Sequence, residues 1–163
     1  MRGMVRSRPL EADPEAPALS ATLDARVVRH DAGYGLSTLF FNDGELRVPL
    51  VKAPRDAGVR VRIDARDVSI ALSRPMDVSI TNRLPGAIVS LEPLQLPFVR
   101  LTFSLGGTDI FALVTAESVE RLALEPGLKA WAMIKSVAID EEAILPVVAP
   151  PRPRRWRVVQ NPD

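Results

Sequence analysis

The stretch VRVRIDARDVSI, residues 59–70, decides the fold class because its apolar side chains alternate with polar ones. Val59, Val61 and Ile63 occupy every second position, which is the period of a β-strand with one buried face. The parity then changes across Arg66-Asp67, where we expect a β-bulge that bends the strand. The stretch therefore predicts two strand segments joined by a bend.

The same alternation recurs along the middle of the chain. Residues 45–51, 68–72 and 98–105 each carry apolar side chains at every second position, and Gly- or Pro-containing turn signals separate these runs. Many short strands punctuated in this way predict an all-β fold made of small barrels.

Residues 114–127 carry the helical pattern of this middle region. Thr115 is a predicted N-cap, and Val119 and Leu122 are spaced for one buried face. Gly127 is expected to close a helix of about three turns at most.

An internal repeat divides this β-rich region. Residues 45–70 align with residues 109–139, and the alignment pairs Arg66 with Lys135. Two tandem OB-like barrels follow, the second with the short helix, and their boundary lies near residues 74–78.

The repeat and the composition of the ends predict four segments. They are a linker or cut end at 1–19, a first TOBE-like barrel at 20–74, a second, Mop-like barrel at 75–142, and an extended Pro/Arg-rich tail at 143–163.

Composition excludes several classes of function. The net charge is +1, so the 163-residue chain has no strong field for nucleic acid, and aromatic residues make up only 5%. Cysteine is absent and histidine occurs once, which excludes thiolate and His-rich metal sites. No Gly-rich nucleotide loop occurs, so we expect no enzyme activity from these residues.

The hydropathy of the chain and the composition of its N-terminus bear on its localisation. No apolar run approaches the roughly 20 residues that cross a bilayer, and the N-terminus has no apolar signal core. The sequence therefore predicts a cytoplasmic protein that is not inserted in the membrane.

Hydroxyl, amide and guanidinium groups gather in residues 79–83, immediately before Leu84-Pro85-Gly86. A turn needs only the Pro-Gly pair, so the additional donors indicate that an electron-rich ligand is held there. The alternative is ordinary turn chemistry, because Ser, Thr and Asn side chains bond to their own backbone.

Three short motifs carry a resemblance to a known family. Residues 79–82 with Pro85-Gly86, residues 115–118, and residues 134–136 occur in the order and spacing of a molbindin (Mop) domain of the TOBE family. The preceding half resembles the segment before the Mop domain in the ATPase subunit of bacterial molybdate importers. The resemblance covers roughly residues 20–140, and it departs from the family at Thr81, where an arginine is usual.

The resemblance implies a binding function. It implies a regulatory domain that holds molybdate or tungstate, needs no metal cation, and acts at the inner face of the cell membrane. Its implied partners are a second copy of the chain, in a homodimer or larger assembly, and the ATPase domain and permease of an importer. The donors that match the motifs or lie beside them are Ser79, Ile80 (through its backbone), Thr81, Asn82, Arg83, Thr115, Ser118, Lys135 and Ser136.

The residue types suit that ligand on chemical grounds. A tetrahedral dianion needs several converging hydrogen-bond donors, at least one of them charged. Backbone N–H groups around Ile80 could form an anion-binding nest, and a helix start at Thr115 would add unpaired N–H groups. On local grounds alone the pattern favours a plain helix cap at Thr115 over a ligand role.

Lys135 is the charged candidate. It lies in residues 130–139, where both alternating rows are apolar, so we expect the strand to be covered on both faces and the ammonium to need a counter-charge. An anion at an interface between subunits or repeats would supply it. The alternative, in which Lys135 extends along its stem to solvent, stays open.

Two functions from different classes remain. The first is an oxyanion sensor that biases a dimeric ATPase. The alternative is a structural dimerisation module that binds no ligand, which Thr81 in place of arginine favours.

Overall fold

The computed structural model describes residues 18–145 of the chain. These residues form ten strands, one short helix and one 3-10 turn at Ala65–Asp67. The elements are β1 Ser20–Asp31, β2 Leu36–Phe41, β3 Gly44–Pro49, β4 Gly58–Asp64, β5 Val68–Ala71, β6 Asn82–Pro93, β7 Phe98–Ser104, β8 Asp109–Thr115, α1 Ala116–Arg121, β9 Lys129–Ile134 and β10 Ala138–Leu145.

The strands form two antiparallel five-stranded sheets. β10, near the end of the described residues, belongs to the first sheet, and β5, from the first half of the chain, belongs to the second. The first sheet has the order β10-β4-β1-β2-β3, and the second has the order β5-β9-β6-β7-β8. In the second sheet β5 also packs against β8, which curls the sheet into a barrel. The predicted all-β fold with two barrel-like units is confirmed.

Strand pairing crosses the predicted boundary between the units. Val68 in β5 pairs with Ile134 in β9, and Ile139 in β10 pairs with Val61 in β4. Each sheet therefore takes its fifth strand from the sequence range of the other unit. The division at residues 74–78 stays a prediction, and it does not coincide with the division between sheets.

The predicted bulge at Arg66-Asp67 is wrong. The chain forms a 3-10 turn there, and the Asp64 carboxylate caps it by accepting the Arg66 N–H at 2.9 Å. The parity of the apolar residues changes because β4 and β5 belong to different sheets. Bulges occur instead in the two long strands, between Val27 and Arg29 and between Ile88 and Ser90.

One continuous apolar core fills both units. Val59, Val61 and Ile63 are fully buried, as their alternation predicts. The pattern fails at Leu50, which is exposed because β3 ends at Pro49, and at Leu72, which lies beyond the end of β5.

The helix begins where the sequence predicts and ends earlier. Thr115 is its N-cap, and the half-buried Val119 and Leu122 pack against the core. The helix stops before Leu122 because Ala123 takes a positive φ of 49°. Gly127, with a φ of 89°, lies in the turn before β9 and does not close the helix.

The two halves repeat one another, but the structural correspondence differs from the sequence alignment. Val27, at the first bulge, donates its N–H to Ala57 O at 2.9 Å, and Ile88, at the second, donates to Leu128 O at 2.9 Å. Counted from these matching bonds, the counterpart of Lys135 is Asp64 and not Arg66. The 3-10 turn adds residues between β4 and β5 in the first half. An alignment without gaps therefore cannot match β4 to β9 and β5 to β10 at the same time.

The predicted terminal segments meet the described residues only at their inner ends. Leu19 is already buried, and its carbonyl accepts the Ala65 N–H at 2.7 Å. Backbone of residues 143–145 belongs to β10. The remainder of the predicted linker and tail, including Trp156, lies outside the described residues.

Candidate functional site

Two of the predicted segments meet at one end of the second sheet. The antiparallel pairing of β6 with β9 ends at Asn82 and Ile134. Thr81 precedes the first of these residues and Lys135 follows the second, so they are neighbours across the end of the strand pair. The Lys135 N–H donates to Asp67 O at 2.8 Å, which anchors the lysine backbone.

Four donor side chains at this end have no protein partner. The side chains of Ser79, Thr81, Lys135 and Ser136 are exposed. Within residues 18–140, no described hydrogen bond or ion pair involves any of them. Three hydroxyls and one ammonium are therefore available to a ligand at the same strand ends.

Of the two alternatives for Lys135, the single chain shows the exposed one. β9 buries Ala130, Ala132 and Ile134, while the alternate row is only half-buried and Lys135 itself is exposed. Both alternating rows of β9 are apolar, but only one of them packs inside the barrel. The other row forms the outer surface of the barrel. In the single chain Lys135 therefore does not need a counter-charge.

Asn82 has a structural role that the sequence did not reveal. Its side chain is buried, Oδ1 accepts the Arg47 N–H at 2.7 Å, and Nδ2 donates to Arg47 O at 2.8 Å. The amide thus links β6 to β3, and its direction is inward.

Arg83 is the second residue of β6 and lies two positions after Thr81, which precedes the strand. It is exposed, and one guanidinium N–H donates to Pro75 O at 2.7 Å. The remaining N–H groups of this planar donor stay on the outer surface. Ile80 is half-buried and can contribute only its backbone N–H.

Thr115 and Ser118 bind each other at the helix start. Thr115 Oγ1 accepts the Ser118 N–H at 3.1 Å and donates to Ser118 Oγ at 2.9 Å, while the Ala116 N–H donates to Pro97 O at 2.8 Å. The expectation of unpaired N–H groups from residues 116 and 118 is therefore wrong. The Ser118 hydroxyl hydrogen remains free to donate.

Barrel closure brings the strand that ends at Thr115 beside the segment that holds Lys135. β8 packs against the 3-10 turn at Ala65–Asp67, and the Asp67 carbonyl accepts the Lys135 N–H. The sequence reasoning missed Asp67 as an anchor, since no side-chain signal marks a backbone acceptor.

An apolar outer surface adjoins the donors. Trp131 and Met133 are half-buried, Met76 is 70% exposed, and the Arg74 guanidinium lies 5.9 Å from the Trp131 ring centroid. Trp131 and Met133, with Arg74 over the tryptophan ring, lie on the outer side of β9, the strand that ends next to Lys135. The apolar outer row of residues 129–134 was the sequence signal for this surface.

Asp64, the acid at the end of β4, is held by the neighbouring Arg66. Asp64 receives two side-chain hydrogen bonds from Arg66, at 2.9 Å from Nε and 2.7 Å from Nη2. The Arg66 guanidinium beside Asp64 holds the pKa of that carboxyl below its usual value. Arg66 thus has a structural role as the partner of Asp64.

Comparison with known proteins places this geometry in a family. The TOBE domain model matches residues 78–140, which contain the donors described above together with β6–β9 and α1. Residues 78–140 form a TOBE domain. The predicted family is therefore confirmed, and the TOBE domain is a binding domain and not a catalytic one.

Relatives match a longer stretch than the TOBE domain alone. The molybdenum import ATP-binding protein ModC of Mesorhizobium japonicum is 40% identical over 120 residues, which cover 74% of this chain and 32% of the relative. ModC of Paramagnetospirillum magneticum is 39% identical over 132 residues, covering 81% and 36%. The chain thus spans about a third of the length of these curated relatives.

The fold has a counterpart among solved structures. The molybdate-bound crystal structure of the cytoplasmic molybdate-binding protein ModG superposes with a TM-score of 0.64 at 21% identity, covering 73% of this chain and 94% of ModG. This likeness concerns the fold.

Residues 18–145 have neither a membrane-spanning helix nor a cluster of metal-binding side chains. No helix of that part of the chain is long and apolar enough to cross a bilayer. The same residues contain no cluster of three or more His, Cys, Asp or Glu side chains that could hold a metal ion.

Proposed function

We propose that the TOBE domain binds molybdate or tungstate at the ends of β6 and β9. The observation that carries the proposal is the set of four exposed donor side chains there, Ser79, Thr81, Lys135 and Ser136, none of which has a protein partner among the described residues. Oxyanion-binding ModG shares the fold, and the ModC relatives are named for molybdenum import.

The donor chemistry fits a tetrahedral dianion. Hydroxyl groups supply neutral hydrogen bonds to individual oxygens, and Lys135 supplies a charge-assisted one. Arg83, two positions after Thr81, is the second cation and takes the place of the arginine that the family has at position 81. Since all ligand oxygens accept and all these groups donate, no metal cation is needed.

A second copy of the chain would complete the site. In one chain the donors lie open to water, where competition weakens each hydrogen bond. The half-buried Trp131 and Met133 beside Lys135 form an apolar surface that a second copy could cover. We therefore propose a homodimer or larger assembly in which a second copy covers the site and dehydrates the ligand.

The wider role follows from the relatives. ModC proteins are ATP-binding subunits by name, and this chain matches about a third of them. We propose that the chain regulates such a subunit, partnered by its ATPase domain and permease at the cytoplasmic face of the membrane. Bound oxyanion would bias the ATPase only if its two states bind the anion with different affinities.

Calorimetry tests the binding step. Titration of the purified chain with molybdate should give saturable heat above a sulfate control. Lys135→Ala removes a charged hydrogen bond worth about 1.5–3 kcal/mol, so Kd should rise roughly ten- to a hundred-fold. Lys129→Ala, at the exposed opposite end of β9, is the matched control and should leave Kd unchanged. No heat above the sulfate control would refute the proposal.

A second candidate is a structural dimerisation module without a ligand. The apolar outer surface at Trp131 and Met133, together with the Thr115–Ser118 pair that satisfies itself, favours it. It predicts a stable dimer by light scattering whose unfolding temperature molybdate does not change. Stabilisation by molybdate would exclude it.

A further inference from the structure

The internal repeat raises the question of how many oxyanions one chain holds. Two barrels of the same design could carry two equivalent sites. The strand register gives the counterpart of each donor, because both long strands have a bulge at the same place and each bulge makes the same bonds to the turn that precedes β4 or β9.

Counterparts on β1 are found by counting back from each bulge. The same number of residues separates Val27 from Ser20 and Ile88 from Thr81. Ser20 therefore corresponds to Thr81, and two positions earlier Ala18 corresponds to Ser79. One of the two hydroxyls is lost in the first repeat.

The cation is replaced by an acid. Asp64 pairs directly with Ser20, at the place where Lys135 follows the last residue paired with β6. The next residue, Ala65, is fully buried and corresponds to Ser136. The first repeat thus has a carboxylate where the second has an ammonium, and a methyl where the second has a hydroxyl.

Arg66 does not restore the positive charge. Its guanidinium makes two hydrogen bonds to Asp64, so the charge of Arg66 is already balanced by a carboxylate of the chain itself. The two repeats also differ at the helix start. The pair Leu39 and Leu46 in the first repeat corresponds to the pair Phe103 and Ile110 in the second. Counting five residues on from Leu46 and from Ile110 shows that the apolar Val51 corresponds to Thr115.

We infer that each chain holds a single oxyanion site, in the second repeat, because the Asp64 carboxylate occupies the place of Lys135 in the first. The inference rests on the proposed function and specifies its stoichiometry. The first repeat then serves as a scaffold that supplies β5 to the barrel with the site.

Equilibrium dialysis against molybdate, with bound molybdenum measured by elemental analysis, tests the number. One molybdenum per wild-type chain supports the inference. Two per chain would overturn it while leaving the proposed function intact, and none would overturn both.

Matched variants locate the site. Lys135→Asp gives the second repeat the charge of the first and should abolish binding, and Lys135→Gln should weaken it at least ten-fold. Arg66→Gln, at the corresponding turn, should still bind one molybdenum. Circular dichroism checks that each variant is folded. Binding that is lost in Arg66→Gln and kept in Lys135→Gln would place the site in the first repeat and overturn the inference.

Discussion

The side-chain amide of Asn82 forms two hydrogen bonds with the backbone of Arg47. Oδ1 accepts the N–H at 2.7 Å and Nδ2 donates to the carbonyl at 2.8 Å. These residues lie 35 positions apart in the sequence, on β6 and β3, so the contact joins the two sheets. Asn82 therefore fixes the start of β6 to β3, and both ends of its amide are already bonded to the Arg47 backbone.

Asn82→Ala should destabilise the chain by about 1–3 kcal/mol, because it leaves the Arg47 backbone groups without partners in a part-buried place. Urea unfolding without ligand measures the loss. Thr81→Ala, at the exposed neighbouring position, is the control and should stay within about 0.5 kcal/mol of wild type. Equal stability of the two variants would contradict the role of the amide.

Gly86→Ala should destabilise the second barrel. A Cβ there would lie 2.1 Å from Ser104 O and 2.5 Å from the Phe103 ring, so strands β6 and β7 would have to separate. Overpacking of this kind costs typically about 1–3 kcal/mol. Gly33→Ala, whose Cβ would meet nothing nearer than 3.5 Å, is the matched control. A thermal melt of Gly86→Ala that matches that of Gly33→Ala would refute the steric argument.

The Asp64–Arg66 pair should make stability fall in acid. The pKa of Asp64 is lowered in the folded chain by its hydrogen bond to Arg66, so the unfolded chain takes up a proton first as pH falls. The stabilisation is present above the usual aspartate pKa of about 3.9 and is lost as pH falls through the folded value.

Urea unfolding of wild type and Asp64→Asn at several pH values measures this contribution. The difference in unfolding free energy between them should be constant from about pH 7 to about pH 5 and should shrink below about pH 4. A difference that does not change with pH would show that the carboxylate charge contributes nothing.

Removing β10 should destabilise the first sheet, although β10 lies at the other end of the sequence. Ile139 pairs with Val61, so a chain that ends at Val137 leaves β4 as an unpaired edge. Hydrogen exchange should show that the β4 amides lose protection. A peptide of residues 138–145 added in excess should restore it by strand addition. Unchanged β4 protection in the shortened chain would contradict the strand exchange.

Much of the fold was predictable because its signals are local. Alternating apolar residues marked the strands, as at Val59 and Val61, and Thr115 marked the helix start. The turn signals separated the strands, and the repeat indicated two similar units. The errors, such as Leu50 and Gly127, occurred at the ends of elements, where tertiary contacts determine where a strand or helix stops.

The candidate site was predictable in residue type and less so in geometry. The motifs identified Ser79, Thr81, Lys135 and Ser136, and the register brings these strand ends together. Periodicity could not tell which apolar row of β9 faces the core, so burial and exposure of Lys135 both stayed open, and the side chain is exposed in the single chain. Nor could it show that Asn82 faces inward, because its partner is far away in the sequence.

By itself the sequence determined the strands, the helix start, the repeat and the family, since each depends on short-range spacing of side chains. Only the tertiary structure decided that the two sheets exchange strands and that Asp64 corresponds to Lys135. These relations depend on hydrogen-bond register between segments that are distant along the chain, and a register shift of two residues, such as that between Asp64 and Arg66, keeps an alternating pattern unchanged.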